Sequence, residues 1–121
     1  MGGVMEAIFD RNGRVAGWLN GEVIYTLQNR HAAFLNDGNL FTYRGRHLGT
    51  LDRGFFRDRQ GNCVAFTDGA EGGPIPPIPQ IPPIPPIPPI APIAPIPPIP
   101  PIAPIGSFSW SALSFEQYLN G

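Results

Sequence analysis

The chain has 121 residues, and its nine acidic and eight basic side chains leave a formal charge of −1. A balance this even argues against nucleic acid as the main partner, and the length suits one small domain plus an appended segment. The basic residues are all arginines and all lie between Arg11 and Arg59, whereas all 17 prolines lie in residues 74–105.

In chain order, the first six residues lack the basic and apolar regions of a signal peptide, so a cytoplasmic location is expected. Residues 7–70 then carry an internal repeat of sixteen, with units beginning at Ala7, Val23, Asn39 and Phe55. The second position of each unit is apolar: Ile8, Ile24, Leu40, Phe56. The seventh is a turn residue: Gly13, Asn29, Gly45, Gly61. The tenth is apolar (Ala16, Ala32, Leu48, Val64) and the eleventh is small (Gly17, Ala33, Gly49, Ala65), a spacing that favours close backbone approach where the units converge. Each unit reads as a β-hairpin. Ile8 to Arg11 predicts a first strand, Asn12-Gly13 a type I′ turn, and Val15 to Leu19 a second strand. A second turn closes every unit, at Asn20-Gly21, Asn36-Asp37-Gly38, Asp52-Arg53-Gly54 and Asp68-Gly69. Eight short strands with regular turns predict an all-β domain. Its core is thin, so help from the proline tract or from other subunits is expected.

The stretch from Tyr43 to Pro74, with Y-x-G-R-H-L-G-T-L and then G-F-F-R-D-x-x-G-N-x-V-A-F-T-D-G-A-x-G-G-P, resembles bacterial proteins named for a four-fold β-flower domain. The resemblance covers roughly residues 6–74. It implies four petal-like hairpins, a proline-bearing continuation after Gly72-Gly73-Pro74, and no assigned activity, so it carries over no functional residue.

In residues 74–105 every third residue is isoleucine: Ile75, Ile78, Ile81, Ile84, Ile87, Ile90, Ile93, Ile96, Ile99, Ile102 and Ile105. Prolines fill the remaining positions except for Gln80, Ala91, Ala94 and Ala103. Proline fixes φ near −65° and restrains the residue before it, which predicts a polyproline II helix. With three residues per turn, the eleven isoleucines fall on one edge. A straight tract would span roughly 100 Å. Burying that edge is worth on the order of 15–30 kcal/mol at most. The expected partner is therefore another copy of the chain, the isoleucine edges forming a homo-oligomer interface. A bend near Ala91 and Ala94, folding the tract on itself, is the second arrangement considered. Collagen is excluded by the bulky third position, and a membrane span by the unpaired carbonyls of polyproline II.

The final segment crowds Phe108, Trp110, Leu113, Phe115, Tyr118 and Leu119 together. Ser114 and Gln117 fit a capping box for a short helix from Phe115 to Leu119. Such a helix is unstable alone and must dock, on another subunit if the tract is straight and on its own domain if it turns back.

Candidate chemistry is sparse. Arg14, Arg30 and Arg46 share the eighth column and form a possible anion or ligand site; the competing reading pairs them with Asp10, Asp58 and the turn carboxylates. His31, His47 and Cys63 share the ninth column, but Val15 breaks the ring and the spacing has no metal-ligand signature. Trp18, Phe34 and Phe66 share the twelfth, suited to a ligand, to the proline tract, or to plain core. A single cysteine excludes an internal disulfide. No catalytic residue set, cofactor motif or metal site emerges, and no enzyme is expected.

The expected architecture is thus an all-β domain of four pseudo-symmetric hairpins (residues 1–73), a long polyproline II tract (74–105) and an aromatic C-terminal segment with a short helix (106–121). Its expected role is structural, as an assembly protein. The alternative is a binding module with an arginine and aromatic site, the tract serving as spacer or peptide ligand.

Overall fold

Each sixteen-residue unit places short apolar runs, covered on both faces, between glycine-bearing turns, and each forms two antiparallel strands. The computed structural model describes residues 5–121. Its strands are β1 (Glu6–Asp10), β2 (Val15–Asn20), β3 (Val23–Thr26), β4 (His31–Asn36), β5 (Asn39–Thr42), β6 (His47–Asp52), β7 (Phe55–Arg57) and β8 (Cys63–Phe66). Neighbours in sequence pair throughout, and β8 pairs back onto β1 through Phe9 with Phe66 and Asp10 with Ala65. The four hairpins therefore close into an eight-stranded barrel, which leaves no unpaired strand edge.

One mouth of the barrel carries the four turns within the units. All are built alike. In each, the fourth residue of the unit (Asp10, Thr26, Thr42 or Asp58) accepts through its side chain from the backbone N–H of the eighth, at 3.0, 3.3, 3.1 and 3.0 Å. The seventh residue has positive φ: 81° at Gly13, 62° at Asn29, 87° at Gly45 and 86° at Gly61. Asn12 has no positive φ, so the expected type I′ turn at Asn12-Gly13 is not what forms. A left-handed residue after a β-turn, with a bulge in β1 between Ile8 and Phe9, takes its place. The I′ signature, with both central residues at positive φ, belongs to the opposite mouth, at Asp37-Gly38 and Arg53-Gly54.

Strand alternation sends Ile8, Ile24, Leu40 and Phe56 inward, where they meet Phe115, Tyr118 and Leu119 of α1 (Phe115–Leu119). Eight strands enclose little more than a layer of side chains, and this single helical turn fills the space. The small eleventh column makes room for it. A Cβ on Gly17 would lie 3.2 Å from the Phe115 ring, and one on Gly49 would run into the Arg57 carbonyl and lie 2.8 Å from the Tyr118 hydroxyl. The capping box forms as the sequence predicts: Ser114 Oγ accepts from Gln117 N–H at 3.1 Å, and Gln117 Oε1 accepts from Ser114 N–H at 2.9 Å.

The proline tract is neither a straight rod nor a hairpin bent at Ala91 and Ala94. It circles the barrel and meets the four turns in order. The Ile78 carbonyl lies against Gly13, the Ile87 carbonyl accepts from Asn29 Nδ2 at 2.8 Å, Pro98 passes Gly45, and the Ile105 carbonyl lies against Gly61. These contacts advance by about nine residues per hairpin, three isoleucine periods. The helix therefore docks on its own barrel, the outcome expected if the tract turns back. The straight-rod expectation overlooked what curvature makes available: turn backbone and outer aromatic surface along the whole tract.

The exceptional Gln80 now has a role. Its N–H donates to the Gly13 carbonyl at 2.7 Å, and its Oε1 accepts from Val15 N–H at 2.9 Å. At the equivalent position three hairpins on, Ser107 N–H donates to the Gly61 carbonyl at 3.1 Å. Between them stand Pro89 and Pro98, which have no N–H to give. Gln80→Pro would make the tract more regular, yet it is expected to lower the unfolding free energy by about 2 kcal/mol, because two hydrogen bonds go and the Val15 N–H is left unpaired. Urea unfolding of the variant beside the wild type measures this.

Candidate interaction surfaces

A proline-rich strand laid on a barrel buries one edge and offers the other. All eleven isoleucines are on the offered edge, each 90–100% exposed. The buried edge is made by prolines such as Pro86, Pro88 and Pro97, which are partly covered. Beneath them lies an outer aromatic shell. Tyr25 Oη donates to the Pro89 carbonyl at 2.8 Å, and Phe34 and Tyr43 line the gap under residues 92–97. Trp18, Phe34 and Phe66 are each at most 3% exposed. Of the roles open to that column, packing is the one they fill.

The circuit begins and ends at one residue. Arg57 occupies the column held by Phe9, Tyr25 and Phe41 in the other units, and it is 3% exposed. Its Nη2 donates to the Gly72 carbonyl at 2.7 Å, where the tract begins. Its Nη1 donates to the carbonyls of Ser107 (2.8 Å) and Gly61 (2.7 Å), where it ends. Asp52 stands 3.7 Å from Nε and supplies the countercharge. Gly106 has no side chain for a reason: a Cβ there would sit 2.7 Å from the guanidinium carbon. Past the clasp, Cys63 N–H donates to Ser109 and the Cys63 carbonyl accepts from Ser111, steering the chain into the barrel mouth. Sequence reading missed Arg57; the signal was an arginine interrupting an otherwise aromatic column.

The charged residues are sorted by the barrel. Arg11, Arg14, Arg30, Arg44, Arg46 and Arg59 are all exposed on the turns of one mouth. Glu6, Glu22, Asp37, Asp52, Asp68 and Glu71 lie at the other. Pairing of Arg14, Arg30 and Arg46 with Asp10 and Asp58 does not occur, because those two carboxylates hold turn N–H groups. The ion pairs found among the described residues, Arg53–Asp52 and Arg57–Asp52, are both at the acidic mouth.

The ninth column is not drawn together. His31 packs edge-on against Tyr43, His47 Nε2 lies 3.1 Å from Asn39 Oδ1, and Cys63 is fully buried, its thiol pushed up by burial. No group of three His, Cys, Asp or Glu side chains is placed to share a metal ion among the described residues. Nor is any described helix long and apolar enough to cross a membrane.

Residues 6–119 match the family described as 4-fold beta flower protein. No curated protein and no solved structure matches the chain.

Two consequences are measurable. Arg57→Met removes the guanidinium donor from the Gly72, Ser107 and Gly61 carbonyls, leaving Ser107 N–H on Gly61 and Arg53 on Asp52, and is expected to cost about 3 kcal/mol. Limited proteolysis should then cut both flanks of the tract, near Gly72 and Ser107, before the barrel. His47 is held below its ordinary value by burial first and by Arg59 second. The fold thus favours the neutral ring, so its contribution is complete above the unfolded value near 6.5 and is lost as pH falls through it. Urea midpoints should drop more between pH 7.5 and about 5.5 in the wild type than in His47→Gln.

Proposed function

We propose that this chain, which belongs to the 4-fold beta flower family, is a non-catalytic assembly module that presents a ring of isoleucines on a polyproline II girdle and oligomerises through it. The observation that carries the reading is the isoleucine exposure, 90–100% at every one of eleven positions. Soluble monomers rarely leave a contiguous apolar surface larger than a few hundred Å² uncovered. Here the sequence spends a strict period of three on keeping such a surface facing outward. The girdle form replaces the rod: at about 3.1 Å per residue, nine residues cover roughly 28 Å, or one hairpin of circumference. Isoleucines then recur about every 9 Å around the barrel. Edges of two copies, curved alike, meet with isoleucine between isoleucine, which suits a homo-oligomer.

Light scattering with small-angle X-ray scattering tests this. The wild type is expected as an oligomer. In about 0.5 M salt, replacing Ile84, Ile87, Ile90, Ile93 and Ile96 by threonine should give a monomer whose urea midpoint is nearly unchanged, because surface substitutions of this kind shift stability by no more than about 0.5 kcal/mol each. A monomeric wild type, or a variant of unchanged mass, would sink the reading.

A further inference from the structure

We infer that the barrel also stacks end to end, its arginine-bearing mouth docking on the acidic mouth of a second copy. This does not depend on the girdle, which faces sideways. The first support is the sorting of charge. Six exposed arginines stand at one mouth, with Asp10 and Asp58 in its turns, and six carboxylates stand at the other, with Arg53 among them, on a chain whose formal charge is only −1. The complement to the basic mouth is therefore carried by the same molecule. The second support is the lack of internal partners. Among the described residues, Arg14, Arg30, Arg44 and Arg46 form no ion pair, and Asp10 and Asp58 each accept from turn N–H groups through Oδ1.

The third support is register. Arg14, Arg30 and Arg46 occupy the same position on successive hairpins, and the acidic turns repeat with the same sixteen-residue period. The carboxylates fall at neighbouring positions of those turns, Glu6 and Glu22 sixteen residues apart and Asp52 and Asp68 likewise, so a copy placed on the barrel axis brings turns of opposite charge together around the rim. Each mouth also has an apolar centre. Leu113, 40% exposed, stands beside the helix at the basic mouth, while Leu19, Leu35 and Leu51 are partly covered where the strands end at the acidic one. Opposite surfaces joined in this way do not close on themselves, so the contact propagates as a stack. Charge complementarity of this kind sets partner and orientation, and it weakens with salt.

Sedimentation of the full chain with the five isoleucines replaced isolates the end contact. At low salt this form is expected as dimers and larger, falling toward 13.1 kDa as salt rises to about 0.5 M. Arg14→Glu, Arg30→Glu and Arg46→Glu together should abolish association, as should Glu22→Lys, Asp37→Lys and Asp68→Lys together. A basic residue at the Asp37 position is compatible with the turn, since Arg53 holds the same place in the next unit with φ 48°. Mixing the two charge variants should restore a complex, which also shows that each is folded. A monomer at low salt overturns the inference, as does association insensitive to salt or a mixture that stays monomeric. Binding of the basic mouth to nucleic acid or to anionic vesicles without self-association would overturn it too. The girdle reading stands or falls separately, on wild-type mass at high salt.

Discussion

The circumference of the barrel governs the rest of the molecule. Eight strands about 4.8 Å apart, tilted as barrel strands are, close on a backbone cylinder about 15 Å across. A second layer packed about 10 Å outside it lies on a circle about 35 Å wide. Between its anchors at Gly72 and Ser107 the chain advances 35 residues, which at about 3.1 Å each gives a circle of the same width. The match explains why the two repeats of this protein are commensurate. One hairpin of sixteen residues faces about nine of tract, so three isoleucine periods carry the chain from one turn to the next, and Ile78, Ile87 and Ile105 bring their carbonyls to the first, second and fourth turns.

Proline is suited to such an outer layer. It has no N–H that the barrel would have to satisfy, and its fixed φ lowers the entropy lost when the tract is laid down. The few places where the barrel does need a donor are where proline is absent, at Gln80 and Ser107. Arg57 completes the arrangement. Buried and shared between three carbonyls, it joins the first and last residues of the circuit to the strand they both cross. A cation in that position is stable only because both terminal nitrogens find carbonyl acceptors and Asp52 stands near Nε, which makes closure of the circuit cooperative with the fold.

The helix depends on the same closure. The chain must travel all the way round before Cys63 can guide residues 109–111 past β8 and Tyr118 can reach the Arg57 carbonyl at 2.9 Å. The barrel interior is thus filled by the last residues of the chain, and the outer aromatic shell is covered by those just before. A thin all-β core is supported from both faces by segments that have no stability of their own.

The four hairpins, their turn residues, the capping box of Ser114 and Gln117, and the single isoleucine edge were legible in the chain, because each rests on local rules: positive φ at glycine and asparagine, helix capping over three residues, and the rigid period of proline. Barrel closure, the circular path of the tract, the pairing of Gln80 with Val15 and the clasp at Arg57 were not. Each joins residues dozens of positions apart, and no local preference distinguishes a straight extended tract from a gently curved one. That choice belongs to the assembled barrel, whose turns offer donors and close-approach glycines at the spacing the tract can meet. The segregation of arginines from carboxylates was likewise present in the sequence as turn residues, but it became two oppositely charged mouths only when successive turns were placed at opposite ends of one closed sheet.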